Sequence, residues 1–164
     1  MRCSHARFPE LGTPTFLQSR AEERGIWLQC ALGASELDEA LDLLQDVYWL
    51  DHVPRDEIRN AVLSSTAMVA ARDAAGHIVA FARALSDRKC AWIYDVVVAP
   101  NLRGAHVGSA VMDVLLDHPA LRNVRHVRLT TRDAMTFYRR LGFRDLAEVP
   151  RFPWTSTDMI RFGV

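Results

Sequence analysis

The chain has 164 residues, is 49% hydrophobic and carries 20 basic against 20 acidic side chains. That length suits one domain with a real core, and the even balance lacks the basic excess that non-specific nucleic-acid or membrane-surface binding needs. No apolar run reaches the roughly 20 residues of a membrane span, and three scattered cysteines form neither a CxxC pair nor a zinc spacing, so a cytoplasmic protein with reduced thiols and no metal is expected.

Residues 1–24 show no period and hold two prolines, and read as a loose leader ahead of a single domain over 25–164. A first strand is expected at Ile26–Leu32. Ser35 is a plausible cap for a helix carrying Leu37, Leu41, Leu44 and Val47 at helical spacing and ending near Tyr48-Trp49. A short helix from Arg55 to Leu63 follows Pro54. Thr66–Arg72 and His77–Leu85 are strand-like runs joined by the turn sequence Asp73-Ala74-Ala75-Gly76.

The stretch from Trp92 to Leu116 organises the chain. Ile93–Val98 is apolar or aromatic except at Asp95, as for a strand covered on both faces. Pro100 removes a backbone donor, so the ladder should stop there. Val107, Ala110, Val111, Val114 and Leu115 then fall on one face of an amphipathic helix. A strand is expected over Arg122–Thr131 and a helix over Asp133–Leu141, with Gly142 in the left-handed position and Phe143 packing back. Two short strands, Phe143–Val149 and Thr157–Phe162, would complete the chain. Hairpins followed by a βαβ unit describe a mixed α/β (α+β) fold, its sheet mostly antiparallel with about six or seven strands and about four helices.

The turn Arg103-Gly104-Ala105-His106-Val107-Gly108, just before a helix, offers backbone N–H groups and an arginine to an anion. A nucleotide-triphosphate loop is excluded because Ser109-Ala110 stands where a lysine and a hydroxyl residue are needed. A dinucleotide turn fails for want of the middle glycine. What fits is V-x-P-x-x-R-G-x-x-x-G over Val98–Gly108, which resembles the acyl-CoA pyrophosphate loop of the GNAT superfamily of N-acetyltransferases. Ala134-Met135-Thr136-Phe137-Tyr138-Arg139-Arg140-Leu141-Gly142-Phe143 resembles that family's closing A-x-x-F-Y-x-x-L-G-F segment. The likeness covers residues 60–145 well and reaches 26–162 through element order. It departs at His106, where a glycine is usual, and at Thr131, where an asparagine is common. Histidine tolerates positive φ better than a β-branched residue, and its imidazole could instead touch a phosphate.

The resemblance implies a GNAT fold and direct transfer of the acetyl group of acetyl-CoA to an amine, here a primary amine on a small molecule. The alternatives are acetylation of a protein or peptide amine, or a non-catalytic acyl-CoA sensor. The pantetheine arm would lie beside Val96, Val97 and Val98 like an added strand. Arg103, Gly104, Ala105, His106, Val107, Gly108 and Ser109 would surround the pyrophosphate, and Thr131 would supply a hydroxyl contact. Tyr138 matches the family's general acid; otherwise an F-Y pair on an amphipathic helix is core packing. Asp95 is the base candidate, because apolar surroundings disfavour a carboxylate's charge. Its bland alternative is a structural aspartate binding backbone N–H groups, and His126, His52 or a water chain are further bases. Strand alternation places it with Ile93 and Val97 on one face. Tyr48 and Trp49, with Trp154 near the C-terminus, are the acceptor-site candidates, suited to apolar and cation–π contact with an amine. A homodimer is compatible with all of this.

Overall fold

The computed structural model describes residues 25–149 and Arg161. They fall into two compact units that divide after Leu129. In the first, β1 (Trp27–Gln29), α1 (Ala34–Gln45), a 3-10 turn (Tyr48–Leu50), α2 (Arg55–Leu63), β2 (Ala67–Arg72), β3 (Ile78–Ser86), β4 (Cys90–Val98), α3 (Val107–Leu116) and β5 (His126–Arg128) follow in order. The strands form one sheet in sequence order, antiparallel from β1 to β4, with β5 parallel to β4.

Helices cover both faces. The apolar stripe of α1 (Leu37, Ala40, Leu41, Leu44) packs with Ile58 and Val62 of α2 onto Ala70, Phe81 and Val97 of the sheet. Alternation sends Ala80, Ala82 and Ala84 of β3 to the opposite face, beside their β2 partners Ala71, Val69 and Ala67. There α3 lies against β2 and β3, and the small side chains let Val107, Ala110, Val111, Val114 and Leu115 be buried. Each Val or Leu so buried contributes about 1.5–3 kcal/mol.

Several local expectations are corrected. The first helix starts at Ala34, capped not by Ser35 but at Gly33, whose N–H donates to Glu36 Oε2 at 2.7 Å. Glu36 also accepts from Gln29 Nε2 at 2.9 Å and pairs with Arg72, so it ties α1 to β1 and β2. Its partial burial disfavours the charge, but the Gly33 N–H, the Gln29 amide and the Arg72 guanidinium outweigh this and hold its carboxyl below the usual range. That helix ends at Gln45, and Tyr48-Trp49 lie in the 3-10 turn beyond it. β5 is confined to His126–Arg128, because residues 118–124 close in turns, Leu121 N–H to His118 O and Val124 N–H to Leu121 O. Cys90 is a free thiol.

The second unit holds α4 (Met135–Arg140) and a 3-10 turn at Leu146–Glu148. The predicted strand at Phe143–Val149 is absent: Asp145 Oδ1 takes the Ala147 N–H at 2.9 Å, a local bond that competes with a ladder. The C-terminus of α4 is as expected. Gly142 has φ +87°, its N–H reaches Arg139 O, the Phe143 N–H reaches Tyr138 O, and the Phe143 ring meets Tyr138 edge-on at 5.8 Å. The strand expected at Thr157–Phe162, apart from Arg161, and the leader over 1–24 lie outside the described residues. The sheet therefore counts five strands among those described, in the expected mixed class. No helix among them is long and apolar enough to cross a membrane.

Candidate active site

β4 is irregular where Asp95 sits. It pairs with β3 at Arg83–Tyr94 and again at Phe81–Val97, so one residue of β3, Ala82, opposes two of β4, Asp95 and Val96. This is a β-bulge, and Asp95 takes φ +55° to make it. The bulge resets the alternation. Ile93 pairs with Ala84 on the α3 side, whereas Val97 pairs with Phe81 on the side of α1 and α2. The expectation that Ile93, Asp95 and Val97 share a face is thereby corrected; it assumed an unbroken period of two.

The Asp95 side chain turns toward α1 and α2 and is buried. Its Oδ2 accepts from Arg83 Nε at 2.5 Å and its Oδ1 from the Trp49 indole N–H at 3.3 Å. The Arg83 guanidinium also lies over the Tyr94 ring, 4.8 Å from its centroid. Arg83 was not among the expected site residues. The signal was there: it is the lone charge inside the apolar run Ile78–Leu85, and a charge at such a position needs a buried partner. His52 and His126, the other base candidates, are both exposed.

Beyond Trp92, β4 loses its neighbour on the other side, since β5 pairs only with Cys90, Ala91 and Trp92. Ile93–Val98 thus presents an edge with no ladder partner among the described residues. The edge leads directly into the glycine turn. Ala99 N–H still reaches Val79 O at 2.8 Å, and Pro100–Leu102 makes a single 3-10 turn. Arg103 is exposed and folds back, its Nε 3.3 Å from Val98 O. Gly104 has φ +77°, with open space where a Cβ would stand.

His106 is the N-cap of α3 and adopts φ 65°, ψ 4°, so the position where a glycine is usual does require the left-handed conformation. It offers no side-chain cap. The first intrahelical donor is Ala110, bonded to His106 O at 3.0 Å, which leaves the N–H groups of Val107, Gly108 and Ser109 without helical acceptors. No acidic residue lies in that first turn. The donor set suits a phosphate group well: converging N–H groups, the positive helix end and the Arg103 guanidinium.

An aromatic surface adjoins the bulge. Tyr48 and Trp49, both exposed, meet edge-on at 5.0 Å. Tyr94, also exposed, stacks with Trp92 at 6.1 Å. Trp49, Asp95, Arg83, Tyr94 and Trp92 are joined through successive contacts. Tyr94 was not among the expected site residues, because a strand covered on both faces leaves it no exposed surface. Trp154 lies outside the described residues.

In the second unit, Thr131 Oγ1 accepts the Ala134 N–H at 3.0 Å, closing the turn that leads into α4. Tyr138 is half-buried, with its ring edge-on to both Phe137 and Phe143. Among the described residues no group of three or more metal-ligating side chains occurs.

Comparison with known proteins points one way. The model of the acetyltransferase (GNAT) family matches residues 21–143. The uncharacterized N-acetyltransferase ycf52 of Porphyra purpurea is 31% identical over 117 residues, covering 65% of this chain and 64% of its own. The chain therefore spans just under two thirds of the length of that relative. A crystal structure from Xanthomonas campestris pv. campestris, assigned to the GNAT family, superposes with a TM-score of 0.63 at 32% identity, covering 76% of this chain and 92% of its own. Glucosamine-6-phosphate N-acetyltransferase from Arabidopsis thaliana shares the fold at 19% identity, with a TM-score of 0.61 over 84% of this chain and 97% of its own.

Proposed function

Since the chain belongs to the GNAT acetyltransferase family, we propose that it is an N-acetyltransferase moving the acetyl group of acetyl-CoA directly to a primary amine on a small molecule. One observation carries the reading: the free edge of β4 at its bulge runs straight into an uncapped helix start preceded by Arg103 and Gly104. That combination supports an extended arm pairing along Val96–Val98 and a pyrophosphate on the turn.

Acetyl-CoA supplies the thioester. The chain's part is to hold and orient. Main-chain groups of Val96, Val97 and Val98 fix the arm. The N–H groups of Gly104 and of His106 through Ser109 hold the phosphates with Arg103, and Ala105 shapes the turn, its own N–H closing on Leu102 O at 3.2 Å. Thr131 is assigned a contact from the second unit. The Tyr138 hydroxyl is assigned the proton that the departing thiolate takes up. Asp95 has both carboxylate oxygens engaged by side-chain donors, Arg83 and Trp49, in place of the backbone N–H groups expected, which supports a structural role. The amine's proton is accordingly assigned to water. Tyr48 and Trp49 offer exposed aromatic surface, which supports an acceptor whose amine is borne on an apolar or aromatic group.

A test follows thiol release from acetyl-CoA over a panel of arylalkyl, alkyl and sugar amines and short peptides, beside thermal protection by acetyl-CoA. Amine-dependent release, fastest with arylalkyl amines, is expected. Protection without release across the panel would favour the sensor reading, and absence of protection would sink both.

A further inference from the structure

We propose that Arg83 is the positioning residue of the acyl-CoA edge, acting through Asp95 to hold the bulge that sets which main-chain groups β4 presents. The inference rests on the reading of that edge as the cofactor's docking strand. It begins with a conflict in the backbone. Asp95 sits at φ +55°, a conformation that an L-residue adopts only under strain, and its carboxylate is buried. A buried carboxylate at a positive-φ position is unfavourable twice over, and nothing local to the strand holds the bulge in place.

Arg83 supplies that hold from two sides. Its Nε holds Asp95 Oδ2 at 2.5 Å, and its guanidinium plane covers Tyr94, the residue just before the bulge. Arg83 is also the strand partner of Tyr94, so side chain and ladder grip the same point. Nη1 reaches toward Ala61 O of α2 at 3.4 Å. The Trp49 N–H takes the second carboxylate oxygen, leaving no lone oxygen facing apolar neighbours.

The consequence for the edge follows from strand parity. Losing one residue of bulge would shift β4 by one position beyond Tyr94 and exchange the faces of Val96, Val97 and Val98. The N–H and C=O groups that now point to the open side would point into the sheet. Lysine cannot substitute fully, because a single ammonium cannot both stack on Tyr94 and approach Asp95 in the guanidinium plane.

The test uses the full chain and acetyl-CoA itself. Arg83→Met should raise the acetyl-CoA Kd by about tenfold or more, with kcat at saturating acetyl-CoA within about threefold of the parent. Arg83→Lys should fall between. Arg83→Met combined with Asp95→Gly removes both charges and leaves a residue at ease with positive φ; its Kd should return to within about threefold of the parent. The double variant also covers the case in which Arg83→Met fails to fold. Parent-like acetyl-CoA affinity in folded Arg83→Met, or a folded double variant that does not bind, would overturn the inference. If the parent itself shows no acetyl-CoA binding, the docking-strand reading fails and takes this one with it.

Discussion

Trp49 and Asp95, 46 residues apart in the chain, meet at 3.3 Å, indole N–H to carboxylate. The contact joins the turn after α1 to the bulge of β4, so the aromatic proposed to meet the acceptor is anchored by the carboxylate at the bulge. Trp49→Phe removes the donor while keeping a ring. A loss of about 0.5–1.5 kcal/mol in denaturant unfolding is expected, with the amine KM raised and the acetyl-CoA KM little changed. Equal shifts in both KM values would mean that the ring does not contact the amine.

Asp95→Asn tests the two readings of that carboxylate. With Arg83 then facing a neutral amide in a buried site, stability should fall by about 3 kcal/mol. In the holding role, the basic-going limb of the pH–rate profile keeps its shape and only its height changes. Flattening of that limb would restore Asp95 as the base.

His106 holds a left-handed conformation at the start of α3 with no side-chain cap. His106→Gly relieves that strain, at some cost in unfolded-chain entropy, and should raise stability by up to about 1 kcal/mol in thermal melts. His106→Val should lower it by more than that, since a β-branched residue resists positive φ. If the glycine variant loses acetyl-CoA affinity, the imidazole touches the phosphate after all.

His118 supplies a pH dependence. Burial first, and the nearby Arg122 charge second, hold its pKa below the ordinary 6.5. Its Nδ1 accepts the Ala120 N–H at 3.1 Å, which requires the neutral ring. The folded state therefore binds fewer protons than the unfolded chain just below about pH 6.5, and stability falls as pH falls through that region. His118→Asn keeps a short acceptor and should flatten the dependence between about pH 7 and about pH 5.5 in urea titrations. An unchanged slope would remove His118 as its source.

Tyr138→Phe should lower kcat by about 10²-fold while leaving acetyl-CoA affinity nearly unchanged, because the ring's contacts with Phe137 and Phe143 survive. Rapid single-turnover measurements would separate this from slow product release. Full turnover in the phenylalanine variant would show that the tyrosine serves packing alone.

The elements that the sequence itself determined are those whose information is local. The apolar stripe of α3, the limits of α2, the hairpin around Gly76 and the glycine-ended C-terminus of α4 depend on periodicity, turn residues and one positive-φ site, and all appear as expected. The glycine turn and the Phe137-Tyr138 segment carried the family for the same reason: fixed spacing within a few residues.

Tertiary structure decided what depends on partners distant in sequence. A bulge has no signature of its own, since Asp95 reads as one more position in an alternating strand until Arg83 and Trp49 are brought beside it. The end of β5 pairing after Trp92, which leaves the edge of β4 without a ladder partner among the described residues, likewise follows from where two strands diverge in space. A buried charge requires a partner, and the chain alone does not say which. Periodicity placed the scaffold; the ion pair across β3 and β4 decided the shape of the edge.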